Sequence, residues 1–319
     1  MSFRGLARST LKSTAVVAAA GAVCVAYAAA IEVRWFTLRR FTVPVLPQGV
    51  DPLKVLHLSD LHLMPTQERK ISWVNELAQL EPDLVVTTGD NISSQASVPP
   101  LIRAYGDLLD LPGVFVFGSN DYWKPQFKNP VYYLLPSQAR RYPQREPDLP
   151  FERMRTAFKS RGWIDLNNDR ATLKVNGLRL NFGGTDDAHI GRDRYEEIAG
   201  PVDPTADLSI GVTHAPYQRV LNAFVDDGYP LVLAGHTHGG QLAVPIYGAL
   251  VTNCDLDTSR VKGLSTWGHD GRQAALHVSA GLGASPYAPV RFACRPEATL
   301  LTLVPRVNPI SPRPEAHVS

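Results

Sequence analysis

Residues 54–62 read Lys54-Val-Leu-His-Leu-Ser-Asp60-Leu-His62. A short, β-prone apolar run ends in two metal-loving side chains spaced i, i+2. Working outward, the same grammar recurs four times. Gly89-Asp90-Asn91 follows the run from Asp83, and Gly118-Ser119-Asn120-Asp121 follows Val114 to Phe117. Thr213-His214-Ala215 follows Leu208 to Val212, and Gly235-His236-Thr237-His238 follows Leu231 to Ala234. Four of the nine histidines fall in these blocks. Between the first runs lie helical patterns, with Trp73, Leu77 and Leu80 at i, i+4, i+7 over residues 68–80, and Leu101, Tyr105 and Leu108 further on. This strand, helix, strand, helix, strand order predicts an α/β fold with parallel crossovers. Further strands are expected at Leu178–Phe182, Ala274–Val278 and Thr299–Leu303, with a helix from Tyr217 to Val225.

The blocks point to metal chemistry for stereochemical reasons. Alternation puts residues i and i+2 on one side of an extended chain, so Asp60 and His62, or His236 and His238, can converge on one ion. Asp90 follows a glycine, which lets the backbone turn closely around a cation. A carboxylate has two oxygens and can bridge two ions. Mixed carboxylate, imidazole and amide donors suit Mn, Fe or Zn better than Ca²⁺ or a soft-metal site. Two such ions about 3.5–4 Å apart clamp phosphate oxygens and lower the pKa of a bridging water. A lone His at a strand end is more often structural, and His57 and His277, inside strand runs, are read that way.

The order Asp-x-His, Gly-Asp, Gly-Asn-like, His, Gly-His-x-His resembles the calcineurin-like metallophosphoesterase superfamily over about Lys54 to Val304. Gly239-Gly-Gln241, Ser279-Ala-Gly-Leu-Gly-Ala-Ser-Pro286, Arg291-Phe292 and Arg295-Pro-Glu297 look like a membrane-linked bacterial branch of it. The resemblance implies a four-layer α-β-β-α sandwich, with the site along the sheet edge. It implies a di-metal phosphoesterase that cleaves a phosphodiester, pyrophosphate or phosphomonoester by attack of a metal-bridging hydroxide. It assigns Asp60, His62, Asp90 and His238 to one metal ion, and Asp90, Asn120, His214 and His236 to the other. The residues alone do not partition the ligands between ions.

One block departs from that pattern. The family usually reads Gly-Asn-His-Asp or Gly-Asn-His-Glu where this chain has Gly118-Ser119-Asn120-Asp121. Ungapped, Ser119 replaces the ligand and Asn120 the histidine; shifted by one, Asn120 is the ligand and the histidine is missing. An amide oxygen is the better ligand than a hydroxyl, so Asn120 is expected on the metal and, with Asp90, in the catalytic centre. An amide donates a hydrogen bond but is no proton donor near pH 7. A leaving group needing little protonation is therefore expected, unless His189 moves in as the acid. Tyr122, Trp123, Lys124 and Lys128, just after the block, are candidates to grip substrate.

The chain has 319 residues, 44% hydrophobic and 19% charged, enough for one large domain. A net charge of +2 disfavours a nucleic-acid partner and with it a nuclease. The altered third block keeps a non-catalytic scaffold of the same fold as the second alternative. None of the three cysteines forms a CxxC pair, so a thiolate zinc site is not expected, and Cys254 and Cys294 are expected as reduced buried thiols ahead of a disulfide between them.

The N-terminus stands apart. Residues 1–13 form a basic segment with Arg4, Arg8 and Lys12, followed by an uncharged stretch from Thr14 to Ile31. A single-pass transmembrane helix over 14–31 is expected, ahead of a cleaved signal peptide or a buried helix. Arg34, Arg39 and Arg40 balance the charges before the span, so the side of the membrane is left open. Residues 32–52, with Pro44, Pro47 and Pro52, are expected as a connector, 53–304 as the metallophosphoesterase domain, and 305–319 as a disordered Pro-rich tail. A phosphorylated small molecule or lipid is the expected substrate class.

Overall fold

The computed structural model describes residues 18–126 and 146–306. Two six-stranded sheets stack face to face. One has the order β1 (Thr37–Leu46), β14 (Glu297–Pro305), β2 (Leu53–Leu58), β3 (Leu84–Thr87), β4 (Gly113–Phe115), β5 (Ile164–Asp165). The other has the order β12 (Gly263–His269), β13 (Arg272–Val278), β9 (Leu231–Ala234), β8 (Leu208–Val212), β7 (Leu178–Gly184), β6 (Asp169–Val175). The centres of both sheets are parallel: β2, β3, β4 and β5 in the first, and β13, β9, β8 and β7 in the second.

Alternation along each strand builds the layers. Val55 of β2, Val86 of β3, Val114 of β4, Val212 of β8 and Leu231 of β9 meet in the core between the sheets. The opposite faces bury their side chains under helices. Leu56, Leu58, Val85 and Phe115 pack with α2 (Glu68–Asn75), α3 (Val98–Tyr105) and α5 (Phe151–Lys159). Val232 and Leu276 pack with Val220, Leu221 and Phe224 of α6 (Gln218–Asp227). The result is the expected α-β-β-α order. Burial on both faces explains why β2, β3, β8 and β9 read as continuous apolar runs rather than alternating ones.

Four strands of the six-stranded sheets differ from the sequence reading, β1, β5, β6 and β12, all on sheet edges. β1 lies within residues 32–52, expected as a connector; it pairs in parallel with β14, and its register slips between Pro44 and Leu46. Proline reads as a breaker, but an edge strand with a bulge tolerates it because its missing N–H need not face a neighbour. β6 and β12 escaped because edge strands expose polar residues to solvent. Cys254 and Cys294 are both buried.

Residues 18–30 form α1, and residues 14–17 of the expected apolar helix lie outside the described residues. Among the described residues no helix is long and apolar enough to cross a membrane. Residues 18–26 of α1 are exposed, while Ala28 is buried. Lys128 and all but the first two residues of the expected tail also lie outside the described residues.

Candidate metal centre

All five blocks sit where their strands end: Asp60 and His62 after β2, Asp90 after β3, Asn120 after β4, His214 after β8 and His236 and His238 after β9. The site therefore straddles the carboxyl edges of both sheets. The loops are zipped together by their backbones. Asp60 N–H donates to Gly89 O at 2.9 Å, His62 N–H to Asp90 O at 2.9 Å, and Gly235 N–H to His214 O at 2.9 Å.

To aim inward, the backbone adopts conformations that side chains avoid. Asp60, His62, Asp90, His236 and His238 have φ of 49°, 42°, 54°, 69° and 50°. Left-handed backbone at non-glycine residues costs roughly 1–3 kcal/mol each and persists only where the surroundings impose it. Its concentration in five residues of one site marks that site as functional.

Asp60, His62, Asp90 and His238 offer ligand atoms that all lie within 4.8 Å of one another. Asp90 Oδ2 stands 3.4 Å from His62 Nε2 and 3.7 Å from His214 Nε2, and it accepts from Asn120 Nδ2 at 2.7 Å. Asn120 N–H donates to the other oxygen, Asp90 Oδ1, at 2.7 Å. His236 Nδ1 is 3.2 Å from His214 Nε2. Every residue expected from the sequence is thus brought into one cluster, Asn120 included, through its amide. Turning that amide over would present its oxygen in the same place.

Each histidine is anchored through the nitrogen that points away. His214 Nδ1 donates to Thr88 O at 2.6 Å and His238 Nδ1 to Gly283 O at 3.1 Å. His236 Nε2 lies 3.3 Å from Asn253 O, and His62 Nδ1 lies 3.4 Å from Ser93 Oγ. A proton on the outward nitrogen leaves the inward one with a lone pair, which is the tautomer a metal takes. Burial, with nearby cationic groups adding to it, holds His62, His236 and His238 well below the ordinary imidazole value, so they are neutral.

That arrangement calls for a cation. His62 Nε2 and His238 Nε2 face each other at 3.1 Å, and two lone pairs at that distance repel. Asp60 Oδ1 is buried without a hydrogen-bond partner. Burial raises the Asp60 carboxyl to about 6, with Asp90 adding to the shift. His214 behaves oppositely: burial pulls it down, but Asp90, Asp187 and Asp60 outweigh this and raise it to about 9. The donor set fits divalent ions, which would replace these protons.

Several residues organise the site in roles that the sequence reading did not assign them. Asp121 accepts from Asp90 N, Asn91 N and Gly118 N at 2.9, 2.7 and 3.0 Å, fixing the second and third loops against each other. Asp60 Oδ2 accepts from Ser59 Oγ at 2.5 Å and His236 N at 2.9 Å. Behind Ser59 stand Thr88 Oγ1 at 2.7 Å and then His57 Nε2, 2.9 Å from Thr88. His57 and His277 meet between the sheets, Nδ1 to Nδ1 at 2.9 Å, the structural role expected of them. Arg291, fully buried, donates to Ala280 O at 2.7 Å and Gly283 O at 2.5 Å, behind His238.

Two neighbours differ from expectation. His189, which the sequence offered as an alternative acid outside the ligand set, is buried against it, 3.0 Å from Tyr217 Oη through Nδ1, with its ring centroid 4.2 Å from that of His236. Tyr122, a candidate to grip substrate, is fully buried, and its hydroxyl donates to Asp186 at 2.9 Å, so its polar end is committed to the protein.

The family model described as calcineurin-like phosphoesterase matches residues 53–240. Among curated proteins the chain is similar to "Uncharacterized protein YpbG" of Bacillus subtilis, 28% identical and covering 83% of this chain and 87% of the relative. It is also similar to "Phosphodiesterase YaeI" of Escherichia coli, 26% identical over 86% of this chain and 90% of the relative. A Bos taurus protein named "Transmembrane protein with metallophosphoesterase domain" is 30% identical over 63% of this chain and 44% of its own length.

Proposed function

From the premise that the chain belongs to the calcineurin-like phosphoesterase family, and is thus a metal-dependent phosphoesterase, we propose that two divalent ions sit at the junction of the sheets and that the substrate is a phosphodiester or pyrophosphate. Asp60, His62, Asp90 and His238 hold one ion, and Asp90, Asn120, His214 and His236 the other. What supports this partition is Asp90 Oδ2, which stands within 3.7 Å of donors from both sets: His62 of the first, and Asn120 and His214 of the second.

Bound divalent ions supply activation of a water at neutral pH and neutralise charge building on the phosphoryl oxygens. The chain's own residues do the rest. Asp90 positions both ion sites from one carboxylate. Ser59 and the His236 N–H keep Asp60 Oδ2 turned so that Oδ1 faces the cluster. Asp121 fixes the Asp90 and Asn120 loops in register, so donors aimed at the substrate need no reorganisation during reaction. With Asn120 holding the ion, the histidine of the family's usual motif has no counterpart in this block, and an amide supplies no proton. Departure is therefore fastest for leaving groups that carry their own negative charge, such as a phosphate or an acidic alcohol.

The uncharged stretch 14–31 serves as the membrane anchor, in line with the printed name of the Bos taurus relative. A phosphorylated lipid or small molecule reaching that surface is the substrate class. The test uses the full chain stripped with chelator and refilled with Mn²⁺, Fe²⁺ or Zn²⁺, followed by hydrolysis of bis(p-nitrophenyl) phosphate and p-nitrophenyl phosphate. Activity returning with metal, higher on the diester, is expected. A protein that binds no metal and hydrolyses neither ester is the scaffold instead.

A further inference from the structure

Exposed large apolar side chains are confined to one region among the described residues. Leu242, Val244, Ile246, Tyr247 and Leu250 lie on the hairpin of β10 (Ala243–Val244) and β11 (Gly248–Ala249), and Tyr287 lies on the loop facing its base. The others, from Val23 to Trp35, lie on α1 and the turn after it. These pieces are joined through one segment. Ala243 N–H donates to Phe292 O at 2.8 Å, Phe292 N–H to Gln241 O at 3.1 Å, and Arg291 N–H to Ala28 O at 3.2 Å, while Tyr27 packs edge-on against Phe292.

We propose that the 242–250 hairpin and the 284–290 loop insert into the interface of a lipid bilayer beside α1, so that the metal centre opens at the membrane surface onto lipid-borne phosphoesters. The substrate class rests on the phosphoesterase reading; the insertion does not. Chemistry favours lipid over a protein partner. Residues 239–254 and 278–290 contain no charged side chain. The hairpin offers no groove: it projects Ile246 fully into solvent, and Tyr247 is 78% exposed. Ile246 also has φ of 74°, a backbone conformation that β-branched residues avoid, and the strain turns an apolar tip outward. α1 is apolar all round over residues 18–26, without the polar face that a helix docked on a soluble partner would keep.

The borders of the patch carry interfacial chemistry. Arg34 donates to Ala30 O at 2.8 Å, closing the end of α1, and Arg295 stacks 3.4 Å over the Trp35 ring. Aromatic and arginine side chains gather where a bilayer meets water. The hairpin starts directly after His238-Gly239-Gly240, and Gln241 Nε2 donates to Ala288 O at 2.7 Å, tying both inserted loops to the ligand loop. A phosphate at headgroup depth would thus lie close to the ions without leaving its bilayer.

The experiment places a nitroxide on the full chain carrying Cys24→Ala and Ile246→Cys, with Lys174→Cys as the control at the far end of the sheets. Accessibility to oxygen and to a nickel chelate is compared before and after adding vesicles of phosphatidylcholine and phosphatidylglycerol. Vesicles are expected to raise the oxygen-to-nickel accessibility ratio several-fold at position 246 and leave position 174 unchanged. A label at 246 that stays nickel-accessible on vesicle-bound chain, a chain that does not bind vesicles, or a label already immobilised without lipid (as contact with a second copy would give) would each overturn the proposal. A second arm carries Ile246→Glu with Tyr247→Glu. Its rate on bis(p-nitrophenyl) phosphate should match wild type, while its rate on a phospholipid ester in the same vesicles should fall at least tenfold. Equal rates on the vesicle substrate would refute lipid presentation. Wild type inactive on both substrates would refute the phosphoesterase reading and leave the accessibility result standing.

Discussion

Gly235→Ala should disable the site without touching a ligand. A Cβ at 235 would collide with Ser59 Oγ and stand 2.6 Å from Asp60 Oδ2 and 3.0 Å from Thr88 Oγ1. There is no space to yield, because Ser59, Asp60 and Thr88 are fully buried and hydrogen-bonded to one another. Overpacking of this kind costs about 1–3 kcal/mol. Displacing Ser59 also breaks its bond to a carboxylate, and a hydrogen bond to a charged group is worth roughly 1.5–3 kcal/mol. The combined loss is about 2.5–6 kcal/mol, or roughly 5–24 °C in Tm for a domain of this size. Because Asp60 must turn, metal affinity should fall with stability. Gly268→Ala is the control, since its Cβ would meet nothing nearer than 3.5 Å. Thermal unfolding and metal analysis of the two variants decide the matter. If Gly235→Ala kept the wild-type Tm and metal content, the tight support of Asp60 would be wrong.

Other consequences follow from the same geometry. On diesters of graded leaving-group pKa, the wild-type rate should depend steeply on pKa if Asn120 supplies no proton, and His189→Ala should leave the slope unchanged; a shallow slope that steepens in His189→Ala would identify His189 as the acid. In chelated protein, His214 is raised from 6.5 to about 9, so the stability it contributes is full below pH 6.5 and fades as pH climbs toward 9. The carboxyls of Asp121 and Asp187, which burial raises from 3.8 to about 7, lose their contribution earlier, as pH climbs from about 4 to 7. Urea unfolding of chelated protein should therefore weaken by on the order of 2–3 kcal/mol between pH 6.5 and 9, and bound metal should flatten the profile; a flat metal-free profile would contradict the burial of these groups. Tyr122→Phe should cost about 1–2 kcal/mol by removing a buried donor from Asp186, with metal content unchanged, because Tyr122 supports the scaffold rather than the ions.

The strands that carry the ligands were legible because interior parallel strands have both faces buried. β2, β3, β8 and β9 are therefore mostly apolar on both faces, and the ligands appear as clustered polar endings. The edges were not legible. In β1, Arg39 and Arg40 are exposed and Pro44 reads as a breaker, so only its pairing with β14 reveals a strand. Within the site, residue types and spacing pointed to Asp60, His62, Asp90, His214, His236 and His238. They could not point to Asp121, Ser59 or Arg291, whose partners are loops far away in sequence. Nor could they show that His189 lies against His236, since that contact joins loops from different parts of the second sheet. The third block was ambiguous by one position, and the bonds from Asn120 to both oxygens of Asp90 are a tertiary fact.

The most direct test of the account compares wild type with Asp90→Asn for bound metal and diester hydrolysis. Wild type should carry about two divalent ions per chain. The variant should lose at least one and fall in rate by roughly 10²–10³ or more, the scale for removing a single group that stabilises the transition state. An Asp90→Asn protein that keeps its metal and its rate would contradict a shared carboxylate at the centre of the site.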